Sequence, residues 1–446
     1  MAGMLTVYGV YLTPYFAGHL GVALTAIAGS ALIVRMIDLF IDPLLGWAMD
    51  RTRTPIGRFR PWMLAGVPLY LTSVYMLFFA AKGIGVMYLI VWGLALGVGT
   101  SLLTLSSAAW AANLATNYNE RSTIYGIMGG VGAVGALLFL MLQITFAKAH
   151  PGGFNAIQLS GWAILIGVPL TVILMTAAVP EPIAPSLRTP FALRDFKEMI
   201  ARPEMLRLVA ADFALALGPG TTAPLYLFFF RDSLGFTTIE STELLMLYTV
   251  ASLFGGPLLG LVATKINKHR TLIWATVGYA VCQVSLFVIP KGMFIAAVPG
   301  MVGCGFIASG FLLLIRAMIA DVGDEVRLEQ GKERMSLLYS MVTTTTKVGT
   351  AITTPITYTV LAYVGYTAVE GAKNTPAAIH GLEMCYVFAP VVFVLVGGAC
   401  LIGYKLDAKR HAEIRAQLDL RDAGAGTQAV IDVMSGAPIA PPSSST

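Results

Sequence analysis

The stretch VALTAIAGSALIVRMIDLFIDPLLGWAM, residues 22–49, decides the fold, because it is long, apolar and carries only three charged side chains. A helix needs about 20 residues to cross a hydrocarbon layer about 30 Å thick, and this stretch exceeds that length. The whole chain is 57% hydrophobic and 12% charged, whereas soluble domains carry roughly 25% charged residues. The sequence therefore predicts an all-α protein that crosses a membrane repeatedly.

Apolar segments of this kind recur along the chain. Because backbone polar groups must be satisfied inside lipid, such long segments are expected to be helices. The first segment is short and has no basic residue before it, so we expect helix I to lack its first turns. We predict twelve spans, at 4–20, 22–49, 61–82, 84–112, 123–147, 157–180, 204–230, 243–264, 271–290, 293–320, 335–366 and 381–405.

The basic residues predict the orientation of these spans. Of 29 Lys and Arg, 21 lie in one alternating set of connections and the tail, five lie in the other set, and three lie within spans. The basic side of a membrane protein is cytoplasmic. We therefore expect a multi-pass protein of the plasma membrane, the inner membrane of a bacterium, with both termini cytoplasmic. Basic residues scattered over many loops do not indicate nucleic-acid binding, and we expect a monomer in the lipid bilayer.

The chain divides near its middle. A polar, proline-containing segment separates two apolar parts, and the C-terminal end is rich in Pro and Ser, which is typical of disorder. We predict six-helix bundles at 1–180 and 204–407, a cytoplasmic linker at 181–203, and a largely disordered cytoplasmic tail at 408–446.

The two parts also repeat each other. The tetrapeptide PLLG at 43–46 recurs at 257–260, an offset of 214, and the pair Glu-Arg at 120–121 recurs at 333–334, an offset of 213. Parallel six-helix repeats are the architecture of major facilitator carriers, in which substrate and ion sites lie between the halves. The pattern predicts that architecture.

Three charged residues share one face of span 2. Arg35, Asp38 and Asp42 are separated by three and four residues, which places them together on a helix. Ionisable groups within spans cost at least about 2.5 kcal/mol each, so they are candidates for function. Two carboxylates one turn apart repel each other unless a cation lies between them. We interpret them as a site for a proton or Na⁺; the alternative is an internal ion-pair network with Arg35.

Lys347 lies within the threonine-rich stretch TTTTKVGTAITTP of span 11. A lysine within a membrane needs a counter-charge, and the acids of span 2 are the expected partners. The alternative is a lysine near the span end whose amine reaches the interface. Arg316 is expected to pair with Asp321 or Asp324, and Asp212 either pairs with Arg207 or faces a cavity.

No sequence feature indicates an enzyme. The triplet Gly130, Gly132 and Gly135 matches a dinucleotide-binding pattern formally, but it lies inside an apolar span, where we expect small residues to serve close helix packing. A phosphate-binding loop and a set of catalytic side chains are absent from the sequence. We expect no cofactor other than a coupling ion, Na⁺ or H⁺.

Residues 35–62, RMIDLFIDPLLGWAMDRTRTPIGRFRPW, resemble the signature of the glycoside–pentoside–hexuronide:cation symporters, the relatives of melibiose permease. The stretches AMIADVGD at 317–324 and GKERM at 331–335, and Lys347 followed by Gly349, resemble the same family. The resemblance implies a twelve-helix carrier of the major facilitator fold that moves a sugar with Na⁺ or H⁺ by alternating access.

The resemblance also implies roles for individual residues. Asp38 and Asp42 match the cation ligands, and would hold Na⁺ if it is used; Asn113 is the candidate polar residue of span 4. The span 11 lysine of the family matches Lys347. Together with Arg35, which lies beside the two acids, we assign Lys347 to coupling and substrate. The loop pattern of the superfamily, which serves conformational change, matches Gly46, Asp50, Arg51, Gly57 and Arg58.

The sugar-binding residues of melibiose carriers are not matched. Their helix I acid would fall at or before Gly3, their helix V arginine is missing, and the acid at the end of helix IV has no match around Asn117. We therefore expect a glycoside, sugar acid or related polyol as the small-molecule substrate. The alternative is the same fold carrying an amphiphile such as a lysophospholipid. A sugar predicts a cavity ringed by Asn, Gln, Tyr and Trp, and a lipid predicts an apolar cavity with a lateral opening.

Overall fold

The computed structural model describes residues 7–52, 54–114, 118–149, 156–179, 199, 201–330, 335–369 and 371–424. Within these ranges the chain forms thirteen helices and no named strand. Most of the predicted linker and the tail after residue 424 lie outside the described residues.

The helices are numbered here in chain order. Three of them change pitch: α1 begins with a π-helical part, α7 ends in one, and α9 ends in a 3₁₀ turn. The bounds are α1 Val7–Leu12 and Thr13–Gly18, α2 Leu24–Arg51, α3 Arg60–Phe78, α4 Val86–Leu114, α5 Tyr118–Ala149, α6 Ala156–Ala178, α7 Pro203–Phe228 and Phe229–Ser233, α8 Thr238–Ile266, α9 Lys268–Ser285 and Leu286–Val288, α10 Phe294–Gln330, α11 Met335–Tyr363, α12 Pro376–Cys400 and α13 Ala408–Gly424.

Helices α1 to α12 correspond one by one to the twelve predicted spans, which confirms the predicted all-α membrane fold. Within the described residues, nine of them are long and apolar enough to cross a membrane; the described parts of α1, α5 and α11 do not meet that criterion. Several bounds differ from the prediction by five residues or more, and two of these differences have a clear physical reason. Helix α12 begins at Pro376 because the side chain of Thr375 accepts a hydrogen bond from the backbone N–H of Ala378, which is typical of a helix N-cap.

Helix α10 continues to Gln330, ten residues beyond the predicted end. Its last turns are polar and contact neighbouring elements through an ion pair and a hydrogen bond: Lys268 Nζ lies 2.6 Å from Asp321 Oδ1, and His411 Nε2 lies 3.0 Å from Asp324 Oδ2. The predicted pairing of Arg316 with these two acids is therefore wrong. Asp321 follows Arg316 by five residues, a separation that does not place side chains on the same helix face.

Helix α13 occupies 408–424, a region predicted to belong to a largely disordered tail. It packs against α10 and buries Ile414 and Leu418. These apolar side chains, four residues apart, form one face of a helix, and this explains why this part of the polar tail is ordered.

Consecutive spanning helices alternate in direction, so their connections lie at two ends of the bundle. We call the end near α13 the terminal end and the other the far end. The first-half helices α1, α2 and α5 contact the second-half helices α7, α11 and α8 respectively. At the far end Tyr11 Oη donates to Thr242 Oγ1 at 3.0 Å, and Lys148 Nζ lies 2.6 Å from Glu243 Oε1. These two contacts join the halves at the far end.

An apolar core supports this junction. It includes side chains of α1, such as Tyr11 and Phe16, together with Leu225 and Phe228 of α7.

Two glycines of the formal dinucleotide pattern have open space beside them: a Cβ built on Gly130 or Gly135 would meet nothing within 4 Å among the described residues. The expectation that these glycines serve close helix packing is therefore wrong.

Candidate cation and substrate site

A cavity of about 630 Å³ lies between the two halves. The first half contributes α2 and α4 to its wall, and the second half contributes α7 and α11. The charged groups and hydroxyls of its lining are Thr13, Arg35, Asp38, Asp42, Thr100, Ser101, Thr104, Lys347, Thr350, Thr353 and Thr354. All four charged residues predicted from the sequence to act together thus line one cavity.

The spacing of α2 places its three charged residues on this cavity wall. The cations and acids differ in exposure: the side chains of Arg35 and Lys347 are 46% and 49% exposed, whereas those of Asp38 and Asp42 are 14% and 19% exposed. The positive groups thus face the open cavity, and the acids are tucked against the protein.

The two halves are joined within the cavity by an ion pair. Lys347 Nζ of α11 donates to Asp42 Oδ2 of α2 at 2.5 Å, which confirms the predicted contact between Lys347 and the acids of span 2. Lys347 lies near the middle of Met335–Tyr363. The alternative of a lysine at the end of the span, reaching the interface, is therefore wrong.

The second ion pair is looser. Arg35 Nη1 lies 3.7 Å from Asp38 Oδ2, which is too long for a hydrogen bond. Among the described residues, Asp38 Oδ1 and Asp42 Oδ1 are buried and have no hydrogen-bond partner. The predicted alternative, an internal ion-pair network with Arg35, would give these oxygens hydrogen-bond partners, because a buried carboxylate oxygen without a partner is costly. Two such oxygens in one cavity form a donor set suited to a bare cation or to protons.

A glycine of α4 makes room for Asp38. A Cβ built on Gly97 would lie 2.8 Å from Asp38 Oδ2 and 2.9 Å from Asp38 Cγ, so only glycine fits against this carboxylate. The sequence analysis missed Gly97. The spacing Gly93-x-x-x-Gly97 in an apolar span is the available signal, because small residues four apart mark close approach between helices.

The polar lining differs from the ring predicted for a sugar. Among the described residues that line the cavity, none is Asn, Gln, Tyr or Trp, and the uncharged polar groups are serine and threonine hydroxyls. Thr100 and Thr350 donate to backbone carbonyls one turn earlier in their own helices. Their oxygens keep lone pairs that can accept hydrogen bonds from a substrate. The side chain of Asn113 lies outside the described residues.

Asp212 lies behind this cavity and is not among the lining residues. It is 4% exposed, and its Oδ2 accepts a hydrogen bond from Thr346 Oγ1 at 2.7 Å. The predicted pair with Arg207 is wrong, since Arg207 Nη1 donates to the carbonyl of Ile402, and Asp212 does not line this cavity. Arg316 is likewise not among the described lining residues.

The loop motif lies at the terminal end, between α2 and α3. Gly57 has φ = 121°, a conformation that favours glycine, and Arg58 Nε donates to the carbonyl of Met49 at 3.0 Å. Arg58 thereby satisfies a carbonyl in the last turn of α2, where a cation is favourable. Arg51 ends α2 and is exposed. The side chain of Asp50 lies outside the described residues.

Gly46, the first residue of the loop motif, has open space beside it. A Cβ built at Gly46 would meet nothing within 4 Å among the described residues. Among the described residues, this position therefore does not require glycine for close helix packing.

Comparisons with known proteins agree with this architecture. The family model described as MFS/sugar transport protein matches residues 1–408. The isoprimeverose transporter of Lactiplantibacillus pentosus is 24% identical over 427 residues, covering 93% of this chain and 87% of that protein. The glucuronide carrier protein homolog of Escherichia coli K12 is 24% identical over 427 residues, covering 92% of this chain and 91% of that protein.

Solved structures show the same fold. The crystal structure of the nucleoside transporter NupG superimposes with a TM-score of 0.67 at 11% identity, covering 91% of this chain and 96% of that one. The relatives and structural neighbours are transporters, not enzymes. The family match over nearly the whole chain and its sugar-transporting relatives lead to one conclusion: the chain is a multi-pass transporter of the major facilitator superfamily and belongs to the glycoside–pentoside–hexuronide:cation symporter family.

Proposed function

We propose that this protein is a secondary active transporter that couples the uptake of a sugar or sugar derivative to the entry of Na⁺ or H⁺ by alternating access. One observation carries the proposal. Lys347 of the second half is bonded to Asp42 of the first half, while Asp38 and Asp42 each keep one buried oxygen without a partner among the described residues.

The charges of the cavity suggest how ion binding changes the contact between the halves. Arg35, Asp38, Asp42 and Lys347 sum to zero when the acids are ionised and no ion is bound. A cation at the two unpaired oxygens adds one positive charge beside Lys347 and competes with its amine for Asp42. The contact between the halves is then weaker with the ion bound, and a ligand that favours one arrangement shifts the population towards it.

Two carboxylates in one site favour Na⁺ over H⁺ as the coupling ion, because a proton needs only one acid whereas Na⁺ needs several oxygen ligands. Asp38 and Asp42 are the proposed ligands, and Asn113 is a further candidate from α4. No other cofactor is proposed.

The orientation follows from the basic residues of the terminal end. In the plasma membrane, with both termini cytoplasmic, the far end faces outwards. The contacts Tyr11–Thr242 and Lys148–Glu243 then close the outer side, so the structure corresponds to a state closed to the outside.

The hydroxyls of the cavity support a sugar cargo, since Ser101, Thr104 and Thr354 present groups that exchange hydrogen bonds with sugar hydroxyls. A lysophospholipid is the alternative cargo. If a lysophospholipid is the cargo, we expect that sugars do not compete with it for binding.

The test is counterflow and gradient-driven uptake in proteoliposomes over a panel of sugars, sugar acids and one lysophospholipid. If Na⁺ couples, uptake rises with Na⁺ at fixed pH and needs no proton gradient. If H⁺ couples, an uncoupler abolishes uptake in Na⁺-free buffer. Accumulation that neither ion affects would refute the proposed ion coupling. Transport of the lysophospholipid alone would refute the proposal that the substrate is a sugar.

A further inference from the structure

We propose that Asp212 is a positioning residue for ion coupling. By accepting a hydrogen bond from Thr346, it holds α11 in the orientation in which the neighbouring Lys347 bonds to the first half. This inference rests on the proposed function and assigns a role to a buried acid that does not line the cavity. It follows from the contacts between α7 and α11.

Asp212 is an ionisable group inside a spanning helix. It lies in the apolar segment Pro203–Ser233 and is 4% exposed, a placement that is costly and that marks a candidate for function. Its Oδ2 accepts a hydrogen bond from Thr346 Oγ1 at 2.7 Å, and Arg316 of α10 attracts it electrostatically. The hydroxyl of Thr346 also lies 3.0 Å from the carbonyl oxygen of Val342. A hydroxyl has only one proton, and the shorter, charge-assisted bond goes to Asp212.

Close packing of small residues continues the contact between α7 and α11 towards the far end. A Cβ built on Gly349 would lie 3.0 Å from the Cβ of Ala216, and a Cβ built on Gly220 would lie 2.7 Å from Thr353 Cγ2. Small residues allow helix backbones to approach closely, but each of their dispersion contacts is weak. A hydrogen bond weakens steeply when its angle changes. The bond from α11 to Asp212 therefore fixes how α11 is turned against α7.

Lys347 follows Thr346 directly and bonds to the other half of the molecule. Its Nζ donates to Asp42 Oδ2 at 2.5 Å, yet its side chain is 49% exposed, so the cavity wall confines it little. The lysine stem is flexible, and its amine stays on Asp42 only while the backbone of α11 keeps its orientation. Asp212 thus acts on the cation site through this backbone.

The proposed competition at Asp42 gives the effect a direction. The coupling ion and the amine of Lys347 compete for this carboxylate, so the apparent ion affinity rises when fewer carriers have the amine bound there. Removing the bond to Asp212 should therefore tighten ion binding. A purely structural role predicts a different result, because loss of folded carrier lowers the maximal rate of uptake without lowering the ion concentration that gives half of that rate.

The experiment compares Thr346→Val, which removes the donor with little change in shape, with the matched control Thr345→Val. Thr345 precedes Thr346 on α11 and donates to the carbonyl of Met341 in its own helix. Uptake of the panel sugar that the wild type accumulates most is measured in proteoliposomes against Na⁺ at fixed pH, or against external pH if the wild type uses H⁺.

We expect the half-maximal ion concentration to fall about three- to tenfold in Thr346→Val, the effect of losing one hydrogen bond. Thr345→Val and Thr346→Ser should keep the wild-type value, since the second of these retains the hydroxyl. An unchanged or higher value in Thr346→Val, or the same fall in either of the other two variants, would overturn the inference.

A second background tests whether Asp212 acts through Lys347. In a Lys347→Ala carrier no amine competes for Asp42, so adding Thr346→Val should leave the half-maximal ion concentration unchanged. Effects that pass through a shared residue are not additive. A further fall of about threefold or more, as expected for independent effects, would overturn the positioning role.

If Thr346→Val cannot be purified, the double variant Asp212→Leu with Thr346→Val takes its place. Replacing both partners of a buried hydrogen bond with apolar groups of similar shape can be nearly neutral for stability, and the expected fall is the same. Ion-driven uptake in the wild type without a fall in this variant would overturn the inference and leave the proposed function intact. Absence of ion-driven uptake of every panel sugar by the wild type would overturn both.

Discussion

Replacing Gly97 with alanine is the sharpest test of the cation site, because it displaces the carboxylate of Asp38 and removes no charged side chain. The new Cβ would lie 2.8 Å from Asp38 Oδ2, whereas ordinary contacts between carbon and oxygen are about 3.3–3.6 Å. Asp38 Oδ1 lies closer still to that Cβ, so the carboxylate must shift by about 1 Å to restore an ordinary contact. Binding sites tolerate displacements of about 0.5 Å, and a displacement near 1 Å costs up to about 100-fold. We expect the apparent affinity for the coupling ion to fall about 10- to 100-fold, which is about 1.4–2.8 kcal/mol.

Gly93→Ala is the matched control for this variant. Gly93 lies one turn earlier on α4, lines the same cavity, and would place its Cβ 3.1 Å from Val34 Cγ2, an apolar side chain that can move by a few tenths of an ångström. Both substitutions favour the helical state by up to about 1 kcal/mol, so neither should unfold α4. The measurement is the ion concentration that gives half-maximal uptake in proteoliposomes. A value for Gly97→Ala within threefold of the wild type, or an equal loss in Gly93→Ala, would refute the reasoning.

Three further predictions concern charged pairs. Asp38→Asn and Asp42→Asn should each abolish ion-driven accumulation while substrate exchange survives in part, because each removes one negative charge from the proposed cation site. Accumulation at the wild-type level in either variant would contradict the site, and the measurement compares gradient-driven uptake with substrate exchange. Lys347→Ala should lower gradient-driven uptake at least about tenfold and make uptake depend more strongly on pH, because it leaves Asp42 without its partner. Lys347→Arg should restore uptake poorly, since the guanidinium differs from the ammonium in shape and hydration. Unchanged ion dependence in Lys347→Ala would refute the coupling hypothesis. Lys148→Glu should open the far end more often and alter transport rates by up to about fivefold, because an exposed ion pair contributes up to about 1 kcal/mol. Adding Glu243→Lys should restore the wild-type rate. If the double variant does not recover that rate, the pair does not hold the halves together.

The sequence was sufficient for the parts of this molecule that depend on local spacing and on charge. The periodicity of α2 predicted that Arg35, Asp38 and Asp42 share a face, and all three line the cavity. The contact of Lys347 with Asp42 was predictable because a lysine within the membrane needs an acid, and few acids lie within spans. This reasoning works where the number of possible partners is small.

Other contacts depend on how distant helices approach each other, which no local pattern encodes. The spacing of Gly97 from Gly93 signals close approach of another helix, but only the position of Asp38 on that helix shows which group Gly97 makes room for. The same limitation explains the errors at the terminal end. Asp321 forms an ion pair with Lys268, which lies at the start of another helix. Helix α13 is ordered because Ile414 and Leu418 are buried where it packs against α10.

Helix α11 bonds to two different partners through consecutive residues. Thr346 holds Asp212 inside the second half, and Lys347 holds Asp42 in the first half. Consecutive side chains point about 100° apart around a helix of 3.6 residues per turn, so rotating α11 to release Lys347 also turns Thr346 away from Asp212. The buried carboxylate and the cavity therefore sense the same motion. A small molecule or substitution that acts on the rear face of α11 could inhibit transport without competing with the substrate.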